Sequence, residues 1–443
     1  MPAQAQLTDT PAQTLSRLPW REVSAASIGN ALEFYDLVIY GYFAVVISKL
    51  FFPAASETVS LMLAVGTFGI SFIMRPLGAI VLGSYADRAG RKKSLTLSIA
   101  LIMVGTAMLV FAPTYAQVGV ASPLLVLLAR LIQGFSTGGE FGASTAFMVE
   151  YATAGRRGYF GSWQASTQGI STLFAASIAA LLSYVLTPEQ VSEWGWRVAF
   201  AVGLLIGPVG FYIRSQVEET PEFRNVAKSD IEKSPARTVL RRDWFALLLG
   251  IGVVAGSTGF NYVHKVYMPT YALTQLHFPP VSSYLGAAVT GLVQAITGPM
   301  FGALSDRVGR HRLLWVAFPL VCVTTYPMFL ILNTWPTVPT LVAVQAFVGL
   351  LNAACLAPIA ALLAEIFPTG TRSTGVALSY NLAVTLFGGF APLIATSLIA
   401  ATGDKLAPSY YVMGSSILSV VAILALTYSA STARRIRAAG PLG

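Results

Sequence analysis

Charge is what this chain has least of. Only 11% of its 443 residues are Asp, Glu, Lys or Arg, where a soluble globular domain carries roughly 25%. With a mean hydropathy of +0.67, that deficit excludes a water-soluble enzyme or nucleic-acid-binding domain. Cysteine is scarce as well: Cys322 and Cys355 both lie in apolar stretches and serve as small hydrophobes, with no disulfide or metal required. The histidines, His264, His277 and His311, have no metal-ligand spacing, and no phosphate-binding loop occurs. No metal, cofactor or enzymatic constellation is expected. The first twenty residues are polar and lack the apolar core of a signal peptide, so the N-terminus is expected to stay in the cytoplasm.

What the chain does have is apolar length. Runs close to the roughly 20 residues that cross a hydrocarbon core recur twelve times, at about 24–47, 60–84, 94–112, 123–148, 158–185, 197–214, 244–272, 283–304, 313–333, 338–363, 374–401 and 408–430. The expected fold is an all-α integral membrane protein of twelve transmembrane helices. The basic residues set its orientation. With the N-terminus inside, 22 of the 28 Lys and Arg fall in cytoplasmic segments, the positive-inside pattern. The net charge of +9 is therefore a topology signal and not a nucleic-acid footprint.

The longest polar stretch between spans, 215–243, divides them six and six. Expected boundaries are a cytoplasmic tail 1–23, a first bundle 24–214, a cytoplasmic linker 215–243, a second bundle 244–430 and a cytoplasmic tail 431–443. The halves echo one another: "GSYADRAGRKK" from Gly83 aligns with "GALSDRVGRHR" from Gly302, and "EYATAGRRG" from Glu150 with "EIFPTGTRS" from Glu365. Two parallel six-helix repeats suit a transporter that rocks its halves about a central site.

At these repeated loops the chain resembles the major facilitator superfamily, whose signature between its second and third spans is G-x-x-x-D-R-x-G-R-[KR]. The resemblance implies two pseudo-symmetric bundles. It also implies gating charge locks on the cytoplasmic side from Asp87, Arg88 and Arg91, with Asp306, Arg307 and Arg310, and from Glu150 and Glu365 at span ends. "RPLGAIVLGSYADRAGRK", "RLIQGFSTGGEFG", "SEWGWRVAF" and "IRSQVEETPEF" are similar to the superfamily's metabolite:proton symporters. "SWQASTQ", "VYMPTYA" and the segment from Phe387 to Met413 look most like its citrate and tricarballylate carriers. Span five lacks the G-P-x-x-G-G pattern of the proton antiporters, which favours symport.

An ionisable residue at the centre of a transmembrane helix costs about 2.5–3.5 kcal/mol on insertion scales, so it is kept where it meets a cavity or a partner. Six stand out: Glu33, Asp36, Glu140, Arg75, Arg130 and Lys265. Gly29, Glu33, Asp36 and Tyr40 share one helical face by their spacing, and Asp36 lies about 18 Å along span one. Either carboxylate is a proton-coupling candidate, or the two orient helices as a buried pair. Arg75, also near mid-membrane, offers a planar fork to a substrate carboxylate or to Asp36. Arg130 opens "RLIQG", which by resemblance is the buried Arg motif linked to proton coupling; it is also a substrate-binding candidate, or serves packing and pairing alone. Glu140 is a partner for Arg88 or Arg91, or part of the site. Lys265, with His264, departs from the citrate carriers, and either binds a further carboxylate or snorkels to the outer surface.

The polar groups expected to complete the cavity are Asn30, Tyr40, Gln133, Gln164, Gln168, Asn261, Tyr262, Gln294, Gln345, Asn352 and Asn381, each able to fix a carboxylate or a hydroxyl. Alternatively they join helix to helix. The expectation is a monomeric importer in a bacterial-type inner membrane, with both termini cytoplasmic, moving a small di- or tricarboxylate with protons. The rivals are a symporter of 2-oxoglutarate, shikimate or a betaine, and a non-transporting receptor. A betaine calls for an aromatic cage rather than cationic clamps.

Overall fold

The computed structural model describes residues 20–89, 91–138, 140, 144, 148, 155–215, 235–367 and 371–438. Twelve helical units follow one another along the chain. Span one is Trp20–Tyr42 with Ala44–Phe51, span two Glu57–Ala89, span three Arg91–Val110 and span four Ala121–Gly138. Spans five and six are Arg157–Val185 and Pro188–Tyr212, and spans seven and eight are Trp244–Thr274 and Pro280–Val308. Spans nine to eleven are Arg310–Thr334, Val338–Ile366 and Thr374–Thr402, and span twelve is Ala407–Ala438. Among the described residues nine helices are long and apolar enough to cross a membrane by themselves, and ten when the bent pair of span one counts as one. Apolar side chains such as Ile73, Leu205, Met300, Val316 and Val323 face outward, which suits lipid rather than water.

Several spans depart from uninterrupted helices, among them span eleven, with a π-helical turn over Thr385–Gly389, and span ten, broken between Val338–Leu356 and Ile359–Ile366. Span one, expected to run straight over 24–47, bends by 67° between Tyr42 and Ala44. The Tyr284 hydroxyl from span eight donates to the Tyr42 carbonyl at 3.0 Å, and a side chain entering the helical ladder is a recognised cause of a kink. Span six begins at Pro188, earlier than the expected 197, because Thr187 caps it through the Gln190 amide. Span seven widens into a π-helical turn over Tyr262–Tyr267. Pro269 has no N–H to offer the Lys265 carbonyl four residues before it, so the α-helical ladder is interrupted there. The stretch expected to be a polar linker contains a short helix, Pro235–Arg241, that leads into span seven; residues 216–234 lie outside the described residues.

Small residues bring the helices together. A Cβ at Gly78, Gly134 or Gly138 would collide with the backbone of Phe135, Ser71 or Arg75 respectively, so spans two and four touch through their main chains. Gly169 of span five and Gly291 of span eight make the same close approach across the two halves.

The halves are joined at several depths. At one end Tyr284 reaches Tyr42 and the Thr270 hydroxyl donates to the Gly41 carbonyl at 3.3 Å. In the middle, Gln294 donates to Ala165 O at 2.9 Å, Ser166 to Ala295 O at 2.7 Å, Asn381 to Gly138 O at 3.2 Å and Thr385 to Phe72 O at 2.8 Å. At the other end Asp306 accepts from the Gly158 and Tyr159 amides, both at 2.8 Å. Contacts at both ends make this an occluded arrangement.

Candidate functional site: a charged cavity between spans one, two, three and four

The spacing that put Glu33, Asp36 and Tyr40 on one face of span one aims them at spans two and four. A small cavity is lined by Glu33 and Asp36 of span one, Phe72 and Arg75 of span two, Ile102 of span three, and Arg130 and Gln133 of span four. Glu33 Oε1 and Arg75 Nη2 form an ion pair at 3.3 Å. The Arg75 guanidinium also lies over the Phe72 ring, 4.1 Å from its centroid, and Tyr262 from the second half meets that ring edge-on at 5.5 Å. Arg75 is thus the counter-ion of Glu33 and not of Asp36.

Asp36 is only 3% exposed. Its Oδ2 meets the Thr106 hydroxyl of span three and accepts from Gln133 Nε2 at 3.3 Å. Its Oδ1 has no hydrogen-bond partner and faces Gly203 of span six, where a Cβ would stand 2.6 Å away. Arg130 donates to Gln133 Oε1 at 2.7 Å and stacks over the Tyr40 ring at 3.9 Å. Gln133 therefore stands between Arg130 and Asp36. Among the described residues no carboxylate lies within ion-pair distance of Arg130, although the side chain is 3% exposed. A buried guanidinium held by a glutamine and an aromatic face retains capacity for an anion.

The other expected cavity residues divide. Asn30 donates to Gln164 O at 3.2 Å, and Gln164 to Ser144 Oγ at 3.1 Å, so both join helices within the first half. The Tyr40 hydroxyl donates to Ala64 O at 3.1 Å, leaving its ring to Arg130. Gln168 is buried in span five. Gln294 and Asn381 make the cross-half bonds described above, and Gln345 donates to His264 O at 3.2 Å. Asn261 Oδ1 and both side-chain polar atoms of Asn352 are buried without a partner. Lys265 does not reach an outer surface: it is fully buried, with Nζ 4.6 Å from the Phe34 ring centroid.

Of the expected locks, Arg310 pairs with Asp306 at 3.3 Å and with Glu365, while Asp306 caps the start of span five. A carboxylate there is favoured by the exposed amides and the helix dipole. Arg307 is exposed and makes no ion pair among the described residues, because the residue next to Asp306 points about 100° away on a helix. The side chains of Asp87, Arg88 and Arg91, and all of Glu150, lie outside what the structure describes. Glu140 is buried near the same end of span four.

Thr106 and Gly203 are the site residues that sequence reasoning missed. A threonine and a glycine in apolar helices look like ordinary packing residues, and only their approach to Asp36 distinguishes them.

Joined halves of membrane-spanning helices, with buried charges around a cavity in the first half, suit a secondary transporter. The chain belongs to the Major Facilitator Superfamily, whose profile it matches over residues 26–335 and again over 261–441. It is 37% identical to a citrate-proton symporter of Klebsiella pneumoniae over 89% of this chain and 88% of that protein. It is 33% identical to an ectoine/proline transporter of Corynebacterium glutamicum, over 92% and 84% of the two chains. In three dimensions it superposes on the xylose transporter of E. coli, in a partially occluded inward-open conformation, with a TM-score of 0.70. There the identity is 17%, over 91% of this chain and 96% of that one, which speaks to the fold alone.

Proposed function

We propose that this transporter imports a di- or tricarboxylate of the citrate or tricarballylate type together with protons, by alternating access. The observation that carries the reading is Arg130, a buried guanidinium beside the cavity with no carboxylate among the described residues within ion-pair distance. A substrate carboxylate approaching the cavity would engage Arg130 and draw Arg75 away from Glu33, leaving Glu33 or Asp36 to hold a proton. The likeness to a citrate-proton symporter supports this over an ectoine or proline substrate, whose cationic nitrogen would meet two guanidinium groups.

Each net charge moved works with or against the membrane potential by about 2.3 kcal/mol per 100 mV. An anion therefore needs more protons than its own charge to enter with that field. The working unit in this reading is a monomer in a bacterial inner membrane with both termini cytoplasmic, and the polar segment 215–243 tethers the two bundles. Asp306, Arg310 and Glu365 hold the cytoplasmic end closed, and the mirrored Asp87, Arg88, Arg91 and Glu150 serve as their counterparts.

The test is uptake of labelled citrate into proteoliposomes under an imposed pH gradient, in competition with tricarballylate, succinate, 2-oxoglutarate, shikimate and betaine. Citrate and tricarballylate should accumulate and compete. Uptake of betaine with no competition from any carboxylate would sink the reading.

A further inference from the structure

Among the described residues Lys265 is a cation of the membrane interior that neither the charged cavity nor the locks absorb. It belongs to the π-helical turn that Pro269 imposes on span seven, is fully buried, and its Nζ has no hydrogen-bond partner. In the first half its Nζ lies 4.6 Å from the centroid of the Phe34 ring of span one. The ammonium therefore stands on the seam between the halves, one helical turn along span seven from Tyr262, which meets the cavity residue Phe72.

The segments packed against residues 262–267 include span one, the remainder of span seven and the part of span eleven from Ala391 to Thr402, together with Phe68 and Phe72 of span two against Tyr262 and Phe329 of span nine against His264; span two also brings Arg75, which is paired with Glu33. Span one brings Glu33, Asp36 and Tyr40 toward the cavity. Span seven brings Tyr262, His264, Tyr267 and Tyr271, while Ala391–Thr402 carries no ionisable residue. Span ten approaches through Gln345, which takes the His264 carbonyl. Glu33 is engaged by Arg75 and Asp36 by Thr106 and Gln133, so neither carboxylate is within ion-pair distance of Lys265.

A buried, unpaired ammonium is costly, and an aromatic face offsets only part of that cost. Among the described residues no carboxylate lies within ion-pair distance of Lys265. A substrate would supply one.

We propose that Lys265 stands as a neutral amine when the site is empty, and that it takes up a proton as it binds one carboxylate of the substrate, so that this proton travels with the substrate. The proton comes from the aqueous phase on the side from which substrate arrives, converts the amine to an ammonium, and leaves on the other side as the carboxylate departs. No other bond is made or broken. The inference rests on the carboxylate reading above and extends it. The second half holds a second anionic group of the substrate, and one coupled proton sits on a base rather than on an acid. It also gives the seam a reason to close, since the ammonium–carboxylate pair would join substrate to the second half while Arg130 joins it to the first.

The test compares wild-type protein with Lys265→Met and Lys265→Arg in proteoliposomes. The proton-to-citrate stoichiometry is read from the pH gradient that just balances an opposing citrate gradient. Both substitutions should lower it by one proton per citrate, Met because it binds none and Arg because it never releases one. Lys265→Met should raise the citrate KM by about tenfold or more, whereas Lys265→Arg should stay closer to wild type. An unchanged stoichiometry in either transporting variant would overturn the proposal, and so would an equal rise in KM for mono-, di- and tricarboxylates in Lys265→Met, the behaviour of a mere latch on Phe34.

If neither variant transports, proton uptake on adding citrate to purified protein in weakly buffered detergent decides. Wild type should take up one proton per citrate more than Lys265→Met, and equal uptake would count against it. A wild-type protein that carries citrate while both variants keep its stoichiometry removes only the lysine role. One that carries no carboxylate removes both readings.

Discussion

The hydroxyl of Thr106 lies within hydrogen-bond reach of two acceptors at once, Asp36 Oδ2 and the Ile102 carbonyl, the latter at 2.9 Å. A hydroxyl has one proton and two lone pairs. When Asp36 is ionised, Thr106 donates to it. When Asp36 is protonated, the acid donates to the Thr106 oxygen and Thr106 turns its own proton to Ile102. The same atoms thus satisfy both states, as a site that loads and unloads a proton requires.

Thr106→Val keeps the shape and removes that exchange. Gradient-driven citrate uptake should fall by about tenfold or more, the scale of a lost hydrogen bond to a charged group. Thr106→Ser, which keeps the hydroxyl, should restore most of it. Equal uptake by Val and Ser variants in proteoliposomes would separate Thr106 from the coupling.

Gly203 sets the back wall of Asp36. An alanine there would place its Cβ 2.6 Å from Asp36 Oδ1 and 3.1 Å from the Tyr35 ring, and Tyr35 is pinned to span six by a 2.6 Å bond to the Ala199 carbonyl. Gly203→Ala should cost about 1–3 kcal/mol and depress transport by displacing the carboxylate. Gly414→Ala, where nothing lies within 4 Å, is the control. Thermal melts and uptake assays should separate the two variants.

Asp306 joins the halves through the Gly158 and Tyr159 amides while holding Arg310. Asp306→Ala removes a helix cap of about 1 kcal/mol, enough for roughly a fivefold shift toward the form open at that end. A cysteine placed at Ser166, otherwise bonded across the seam to Ala295, should react faster with an impermeant maleimide from that side once Cys322 and Cys355 are replaced. Unaltered labelling would mean that the lock does not hold this end closed.

The sequence carried the outline of this molecule because lipid imposes length and the repeats impose symmetry. Apart from span six, which begins at Pro188 and not at 197, and the bend in span one, the apolar runs lay close to the helices, and the spacing of Glu33, Asp36 and Tyr40 gave their common face. Partner choice was not legible. That Arg75 takes Glu33 while Gln133 stands between Arg130 and Asp36 depends on how closely Gly134 and Gly138 let spans two and four approach. Asn30 and Gln164 looked like cavity residues, yet they spend their amides on helix contacts. The bend at Phe43 carries no proline signal, since its cause is the Tyr284 hydroxyl of another helix. The burial of Lys265 followed from Pro269 and from span seven continuing to Thr274, which hydropathy alone left open.

The account stands most directly on Asp36. Purified wild type and Asp36→Asn should be compared in proteoliposomes for two activities, accumulation of labelled citrate driven by a pH gradient and exchange of citrate against citrate with no gradient. Asparagine keeps the shape and cannot take up or release a proton, so accumulation should fall to what a proton on Lys265 alone supports while exchange persists. Undiminished accumulation in Asp36→Asn would contradict proton coupling through this site.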